Sequence, residues 1–227
     1  MLALMACGQG APSSPDAPLQ PDAPAAIPNL EASYVFGPIT ADHFTGTVSA
    51  RPGDIFVVSV LLAQPSAGVS VSNIVAGRPL WAWLQNVTPS CAQTSETWVL
   101  PRQAADAVDE LVISLSRSTT FTAYVLQFSG VTAPMLTTSG GGRTSDAGSI
   151  TAMQLEADRP GQLVVSTMTV CSPLGAVASP FASMNSFGVE DVAYYITESP
   201  GMYGATWSFT GSTQPNTIDA NTILFHR

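Results

Sequence analysis

The sequence predicts an all-β protein, an antiparallel β-sandwich of jelly-roll type built from two repeated halves. An Arg-Pro-Gly turn leads twice into a short, Val-rich run, at 51–63 and again at 159–171. Apolar and polar residues alternate with a period of two in further short segments of both halves, as in half-buried strands. The 18 Gly and 18 Pro residues indicate many turns rather than long helices.

The net charge and the lengths of the apolar runs limit which macromolecules and surfaces the chain can bind. The chain has 227 residues and a net charge of −9, from 16 acidic residues against seven Arg and no Lys. It lacks the basic cluster that a phosphate backbone or an anionic membrane surface requires, so we expect no nucleic-acid partner. Because no apolar run approaches the ~20 residues of a spanning helix, we expect membrane attachment to be covalent.

The first residues supply such an attachment. Leu4-Met5-Ala6-Cys7 matches the order of a lipobox and resembles the end of a bacterial lipoprotein signal peptide. The resemblance implies that residues 1–6 are a partial signal peptide and that Cys7 becomes the lipidated N-terminus. Gly8 after the cysteine implies the outer membrane rather than the inner one. The alternative is an ordinary Met-rich start with a chance Cys.

A tether follows the lipobox. Residues 8–28 carry six Pro among Ala, Ser, Gln and Asp, with no apolar periodicity, so this stretch is predicted to be disordered. In polyproline geometry, at about 3.1 Å per residue, it would reach roughly 65 Å. We therefore divide the chain into signal residues 1–6, lipidated Cys and tether 7–28, and a folded domain 29–227.

Within the domain we expect pseudo-repeats at about 45–130 and 149–227. In the first strand after the turn, Phe56 and Val58 share one face while Ile55 and Val57 share the other, which predicts a central strand. Residues 111–116 and 121–129 are predicted to form a hairpin with its turn at 116–119. In the second half, 163–171 is the repeated strand, and 172–188 is predicted to be a loop.

This order resembles β-sandwich modules of secreted bacterial proteins and phage structural proteins. The residues that carry the resemblance are Pro52-Gly53-Asp54, Trp81 or Trp98, Trp207, and Phe225 with Arg227. His226 between the last two departs from the pattern. The resemblance implies a fold but no shared catalytic motif.

Catalytic candidates are few. The two histidines, His43 and His226, are far apart in the sequence, and no Gly-x-Ser-x-Gly elbow is present. A hydrolase would need a pair of carboxylates. The candidates for that pair are Asp106, Glu110, Glu190 and Asp191.

No cofactor is predicted, although Ca²⁺ stays open as an alternative. Two groups of oxygen ligands have the right chemistry for it. Neither has the Gly and ligand spacing of a calcium loop, so solvated charges and turn caps are the other interpretation. The groups are Asp106 with Asp109 and Glu110, and Asn216 with Asp219 and Asn221.

Cys91 and Cys171 are predicted to form a disulfide. With Cys7 lipidated, an exported chain keeps this even pair, and oxidising compartments favour closing it. The bond would join the two halves. Two buried free thiols are the alternative.

Trp81 and Trp83 would project from one face of a strand, with Trp98 or the Tyr194-Tyr195 strand at its edge, and such a platform can stack on sugars. Core packing is the other fate of these residues.

We therefore expect a non-enzymatic lipoprotein, exported to the outer membrane or cell surface, that displays a binding or structural module. Its partners would be the membrane, through the lipid, and a glycan or an envelope protein. The alternative is a tethered extracellular hydrolase that acts on polysaccharide.

Overall fold

The computed structural model describes residues 26–49, 51–63, 69–72, 82–86, 94–100, 109–131, 134–144, 148–170, 172–184, 188–209 and 216–225. These residues form strands and the turns between them. This confirms the prediction of an antiparallel all-β fold. The described part of the chain contains no helix, and so none with the length and hydropathy needed to cross a membrane.

The described residues form sixteen strands. In chain order they are β1 Asn29–Thr47, β2 Ile55–Leu62, β3 Val69–Ser72, β4 Ala82–Asn86, β5 Thr94–Leu100, β6 Glu110–Ser129, β7 Pro134–Thr144, β8 Gly148–Thr151, β9 Leu155–Ala157, β10 Leu163–Val170, β11 Leu174–Val177, β12 Ala182–Ser183, β13 Glu190–Ile196, β14 Gly201–Tyr203, β15 Thr206–Phe209 and β16 Asn216–Phe225.

The two halves repeat one sheet topology. Sheet A, in the first half, has the order β1-β6-β2-β5-β4, and β3 pairs with β6 beyond this path. Sheet B, in the second half, has the order β7-β16-β10-β13-β12. Strands β11, β15 and β8 form sheet C, and β14 pairs with β9. Each half thus places its post-turn strand, β2 or β10, at the centre of a five-strand path.

The register of the central strands repeats as well. Ile55 of β2 lies opposite Phe128, and Leu163 of β10 lies opposite Phe225. The first members of these pairs are 108 positions apart and the second members are 97 apart, because the loops of the two halves differ in length. The halves are therefore equivalent in pairing as well as in strand order.

Both Arg-Pro-Gly turns need their glycine. Gly53 has φ 91° and Gly161 has φ 77°, a region that side chains with a Cβ rarely adopt. In the first turn the Asp54 N–H donates to the Arg51 carbonyl at 3.1 Å. In the second turn the equivalent Gln162 N–H donates to the Thr197 hydroxyl at 3.0 Å, so the two turns share the glycine conformation but not this hydrogen bond.

The core consists of three apolar clusters rather than the one expected of a single sandwich. Each half has a cluster of its own, and a third lies between sheets A and B. The first half's cluster includes Phe56, Val58, Trp98, Leu111 and Phe121. The second half's includes Val164, Met168, Phe181, Trp207 and Leu224. The shared cluster includes Ile55, Val57, Leu126, Phe128, Leu163, Val165, Ile223 and Phe225.

Two local predictions were wrong. The 116–119 turn does not form, since β6 runs unbroken from Glu110 to Ser129, and both of its ends pair with β1 rather than with each other. That segment has no Gly, Pro, Asn or Asp to bend it, and its β-branched Thr residue favours extended backbone. The 172–188 loop contains β11 and β12.

We expect Gly53→Ala and Gly161→Ala each to lower the free energy of unfolding by about 1–2 kcal/mol, because a Cβ is strained at this φ. Asn tolerates the region better, so Gly161→Asn should cost less than Gly161→Ala. Denaturant unfolding measures both. Equal stabilities for the Ala variant and the unchanged chain would contradict the assigned turn geometry.

Candidate functional site

The predicted tryptophan platform finds no support in the described residues. Trp98 is only 4% exposed and packs in the first half's core, where its indole N–H donates to Glu96 at 3.1 Å. It cannot present a ring to a ligand. Trp83 occupies the β4 position opposite Thr97, but its side chain lies outside the described part, as does all of Trp81.

The predicted lipidation of Cys7 and the predicted Cys91–Cys171 disulfide fall on residues outside the described part of the chain, and so does His226. His43 lies on β1, not in a loop, and its Nδ1 is 3.1 Å from the Ser114 hydroxyl on β6. That contact is exposed and pairs two strands.

Among the described residues, the carboxylates considered for hydrolysis lie on different strands or on opposite faces of one strand. Glu190 and Asp191 are neighbours on β13, so their side chains point to opposite faces of sheet B. Glu190 accepts a hydrogen bond from Ser59 of sheet A. Asp191 accepts from the Trp207 indole at 2.6 Å and from Ser183 at 2.5 Å. Glu110 lies on β6 opposite Thr47, and Asp106 is outside the described residues.

Glu190 belongs to a polar seam between sheets A and B. The Thr169 hydroxyl donates to Ser95 at 2.8 Å, and the Thr97 and Thr167 hydroxyls are 3.3 Å apart. The seam continues the faces that carry the shared apolar cluster, so the interface between the halves is apolar at one end and polar at the other. Its members on sheet A are Ser59, Ser95 and Thr97, and those on sheet B are Thr167, Thr169, Glu190 and Asn221.

Glu190 is an uncharged acid at neutral pH. Its side chain is fully buried, and this burial raises the pKa of Glu190 to about 8. The hydrogen bond from Ser59 acts against that rise, and the nearby charge of Asp191 adds to it. Its Oε2 atom has no partner among the described residues. Because water and substrate cannot reach it, Glu190 has a structural role.

A second buried carboxylate recurs in both halves. Glu96 lies opposite Val60, and Asp191 lies opposite Met168, positions that the repeat makes equivalent. Each accepts a hydrogen bond from a tryptophan indole, Trp98 in the first half and Trp207 in the second. Burial raises the pKa of Glu96, and its hydrogen bonds from the Trp98 indole and the Val69 backbone act against that rise. Glu96 and Asp191 therefore each hold one buried tryptophan indole in place by a hydrogen bond, Trp98 in the first half and Trp207 in the second.

The calcium alternative gains no support. Among the described residues, no three His, Cys, Asp or Glu side chains are placed to hold a metal ion. Asp109 is exposed at the start of β6. Asn221 is buried in the seam, where its amide donates to Thr167 at 3.3 Å. The Asn216 and Asp219 side chains lie outside the described part.

Among the described residues, an open cleft on the second half is a candidate for a binding site. It has a volume of about 200 Å³. Pro180, Phe181, Met202 and Tyr203 supply its apolar and aromatic wall, and Ser179 and Thr206 add hydroxyl groups. Its lining contains no charged residue. We call it the Tyr203 cleft.

An aromatic stack supports this cleft from behind. The Tyr195 ring lies 5.6 Å from the Phe181 ring and 5.5 Å from the Tyr203 ring. The Tyr203 hydroxyl donates to the Ser199 carbonyl at 2.8 Å, which fixes the ring. Met202 projects at the rim and is 55% exposed. The wall is therefore preformed and accessible.

Sequence patterns alone contain only a weak signal of this cleft. Phe181 and Tyr203 are 22 positions apart and lie on either side of β13, which brings them together through Tyr195. The adjacent Tyr194 and Tyr195 were the one relevant hint, as a possible edge of the tryptophan platform.

No protein-family model, curated protein or solved structure matches this chain. The resemblances to bacterial lipoproteins and to secreted or phage β-sandwich modules therefore stay predictions. Function has to be argued from geometry.

We expect Glu190 to make stability fall as pH rises. Between about pH 4.5 and 8 the folded protein holds a proton on Glu190 that the unfolded chain has released, so unfolding becomes easier across this window. Glu190→Gln keeps an uncharged acceptor for Ser59 and removes this loss. Its free energy of unfolding should exceed that of the unchanged chain by a few kcal/mol more at pH 8 than at pH 5.

Urea unfolding at several pH values measures this difference. Glu156→Gln, on the exposed side of β9, is the matched control and should run parallel to the unchanged chain. Parallel curves for Glu190→Gln would show that the buried carboxyl does not titrate as stated.

Proposed function

We propose that this chain is a non-enzymatic lipoprotein of the cell envelope that displays a double β-sandwich, and that the Tyr203 cleft is its ligand-binding site. One observation carries the proposal. Among the described carboxylates of the hydrolase hypothesis, Glu190 and Asp191 accept hydrogen bonds from buried structural partners, and Glu110 lies on a different strand. The second half, in contrast, presents an open, uncharged, aromatic cleft. Such a surface can bind a ligand, and its lining contains no carboxylate or imidazole for acid–base catalysis.

The cleft favours a small, neutral, ring-shaped group. Pockets for drug-sized ligands occupy about 300–1,000 Å³. A volume of about 200 Å³ is smaller and suits one ring of a longer molecule. An aromatic wall provides apolar contact, and the hydroxyls of Ser179 and Thr206 are the available hydrogen-bonding groups. A glycan of the envelope meets this description.

The location rests on the N-terminal sequence. The lipobox ending in Cys7 and the Pro-rich tether at 8–28 support an anchor followed by a spacer. The net charge of −9 disfavours direct binding to anionic lipid surfaces, so the lipid would be the attachment. The domain would then stand clear of the outer membrane or cell surface.

A disulfide between Cys91 and Cys171 is part of the proposal. The support comes from their neighbours in the sequence. Ser95 follows Cys91 by four residues, Thr169 precedes Cys171 by two, and the hydroxyls of Ser95 and Thr169 are 2.8 Å apart in the polar seam. The segments leading to both cysteines thus approach each other between the halves.

A glycan and envelope-component array tests the cleft, with the full chain as probe. Met202→Ser removes an exposed apolar contact from the rim and should weaken binding at least tenfold. Met153→Ser is the matched control because Met153 is 49% exposed and lies outside the lining, so its binding should be unchanged. Tyr203→Phe keeps the ring and should bind. Equal losses in both Met variants, or ligands that ignore Met202, would refute the cleft.

Mass spectrometry of the mature protein tests the anchor and the disulfide. With a complete signal region placed before Leu4 and expression in a bacterium, we expect acyl chains on Cys7 and none in Cys7→Ser. Cys91 and Cys171 should resist alkylation until reduced. An unmodified Cys7 in a correctly exported protein would remove the lipoprotein assignment, and free thiols would remove the disulfide.

A further inference from the structure

The tether contains a regular feature that its composition does not require. Five of its prolines, Pro12, Pro15, Pro18, Pro21 and Pro24, are each three residues apart. A polyproline II helix has three residues per turn, so this spacing would place all five rings along one edge. The two carboxylates of the segment, Asp16 and Asp22, fall on another edge. We call residues 12–24 the proline ladder.

The ladder and the Tyr203 cleft are chemically complementary. Proline-rich segments in the polyproline II form bind to grooves lined by aromatic residues, because the extended helix is already ordered before binding. The cleft provides Phe181, Tyr203 and the neighbouring Pro180, carries no charge, and has room for about one ring. A row of neutral pyrrolidine rings fits this lining.

The fold brings the ladder close to the cleft. The ladder ends five residues before β1. Leu30 near the start of β1 pairs with Phe128, whose ring lies 5.4 Å from that of Tyr194, and Tyr194 pairs with Ala182 of β12. Leu30, Tyr194 and Met184 all pack against the shared cluster. Met184 directly follows the edge strand β12, and Phe181 of the cleft directly precedes it. The chain therefore leaves the folded part on one face of this edge, and the cleft lies on the other.

The free chain begins at Ala25, because residues 26–28 belong to the described part, with Pro28 buried and the Ile27 carbonyl against Gly130. At about 3.1 Å per residue in polyproline geometry, Pro18 can reach about 25 Å from Ala26, which is enough to pass around the edge. Packed sheets are separated by about 10 Å. The ladder's own thirteen residues add further reach.

We propose that the Tyr203 cleft binds the proline ladder of the same chain, residues 12–24, in the polyproline II form. This rests on the proposed function only in taking the cleft as a site for ring-shaped groups. Docking would draw the second half of the domain towards the lipid anchor. A ligand for the cleft would displace the ladder and release the tether to its full length.

Methyl NMR of the full chain, labelled at methionine, tests this proposal. Met202 lies at the cleft rim and Met153 lies outside it, so their signals, assigned with Met202→Leu and Met153→Leu, serve as probe and control. In the variant Pro15→Ala/Pro18→Ala/Pro21→Ala, the Met202 signal should shift and the Met153 signal should not. A synthetic peptide of residues 8–25 added to that variant should return the Met202 signal towards its original position.

A peptide of the same composition with its prolines out of the three-residue spacing should have no effect. A Met202 signal that is identical in both proteins and unmoved by the peptide would overturn the proposal. A shift that grows with protein concentration would assign the ladder to a second copy and overturn docking within one molecule. If array ligands still move Met202 while the ladder does not, the proposed function stands and this inference fails.

Discussion

The two central strands are apolar on both faces, and the arrangement of the whole molecule depends on this. Phe56 and Val58 on one face of β2, and Ile55 and Val57 on the other, are all buried. One face can be covered by the strand's own half, but the other needs a second apolar surface. Since β10 has the same requirement, each half covers the other. Three clusters therefore form, and neither half alone could bury its central strand.

The polar seam limits how the halves can meet. Apolar side chains tolerate sliding, whereas the Thr169 to Ser95 bond and the Ser59 to Glu190 bond form in only one alignment. A shift of one sheet along the other by one residue, about 3.3 Å, would carry these donors out of reach of their acceptors. Burying Glu190 costs stability, since its Oε2 has no described partner and its acid must stay protonated. The seam thus gives the interface its alignment, while the apolar cluster beside it supplies most of the attraction.

The features that could be predicted from the sequence are those specified by a few neighbouring residues, namely turns and the apolar strands that follow them. The turns at Gly53 and Gly161 and the runs after them specify a central strand without reference to the rest of the chain, and their spacing reveals the repeat. Burial of a carboxylate is different. Nothing local distinguishes the enclosed Glu190 from an exposed acid, because its environment comes from Ser59, 131 positions away. The Tyr203 cleft likewise needs β13 between its two walls. Strand β6 continues through the predicted turn because β1 pairs with it on both sides of residues 115–118, where the register shifts.

Because the proline ladder and the Tyr203 cleft belong to one chain, the ladder is present at the cleft at a high effective concentration. A segment joined to the domain by a few residues is held at an effective concentration in the millimolar range, so even a weak contact with the cleft would be well populated. An external ligand must then displace the ladder from the cleft. The apparent affinity of that ligand is its intrinsic affinity multiplied by the fraction of clefts that the ladder leaves open. Under the proposed docking and the proposed lipid on Cys7, a ligand in the cleft would change the distance between the domain and that lipid. The polar seam aligns the two halves, so both halves would move together.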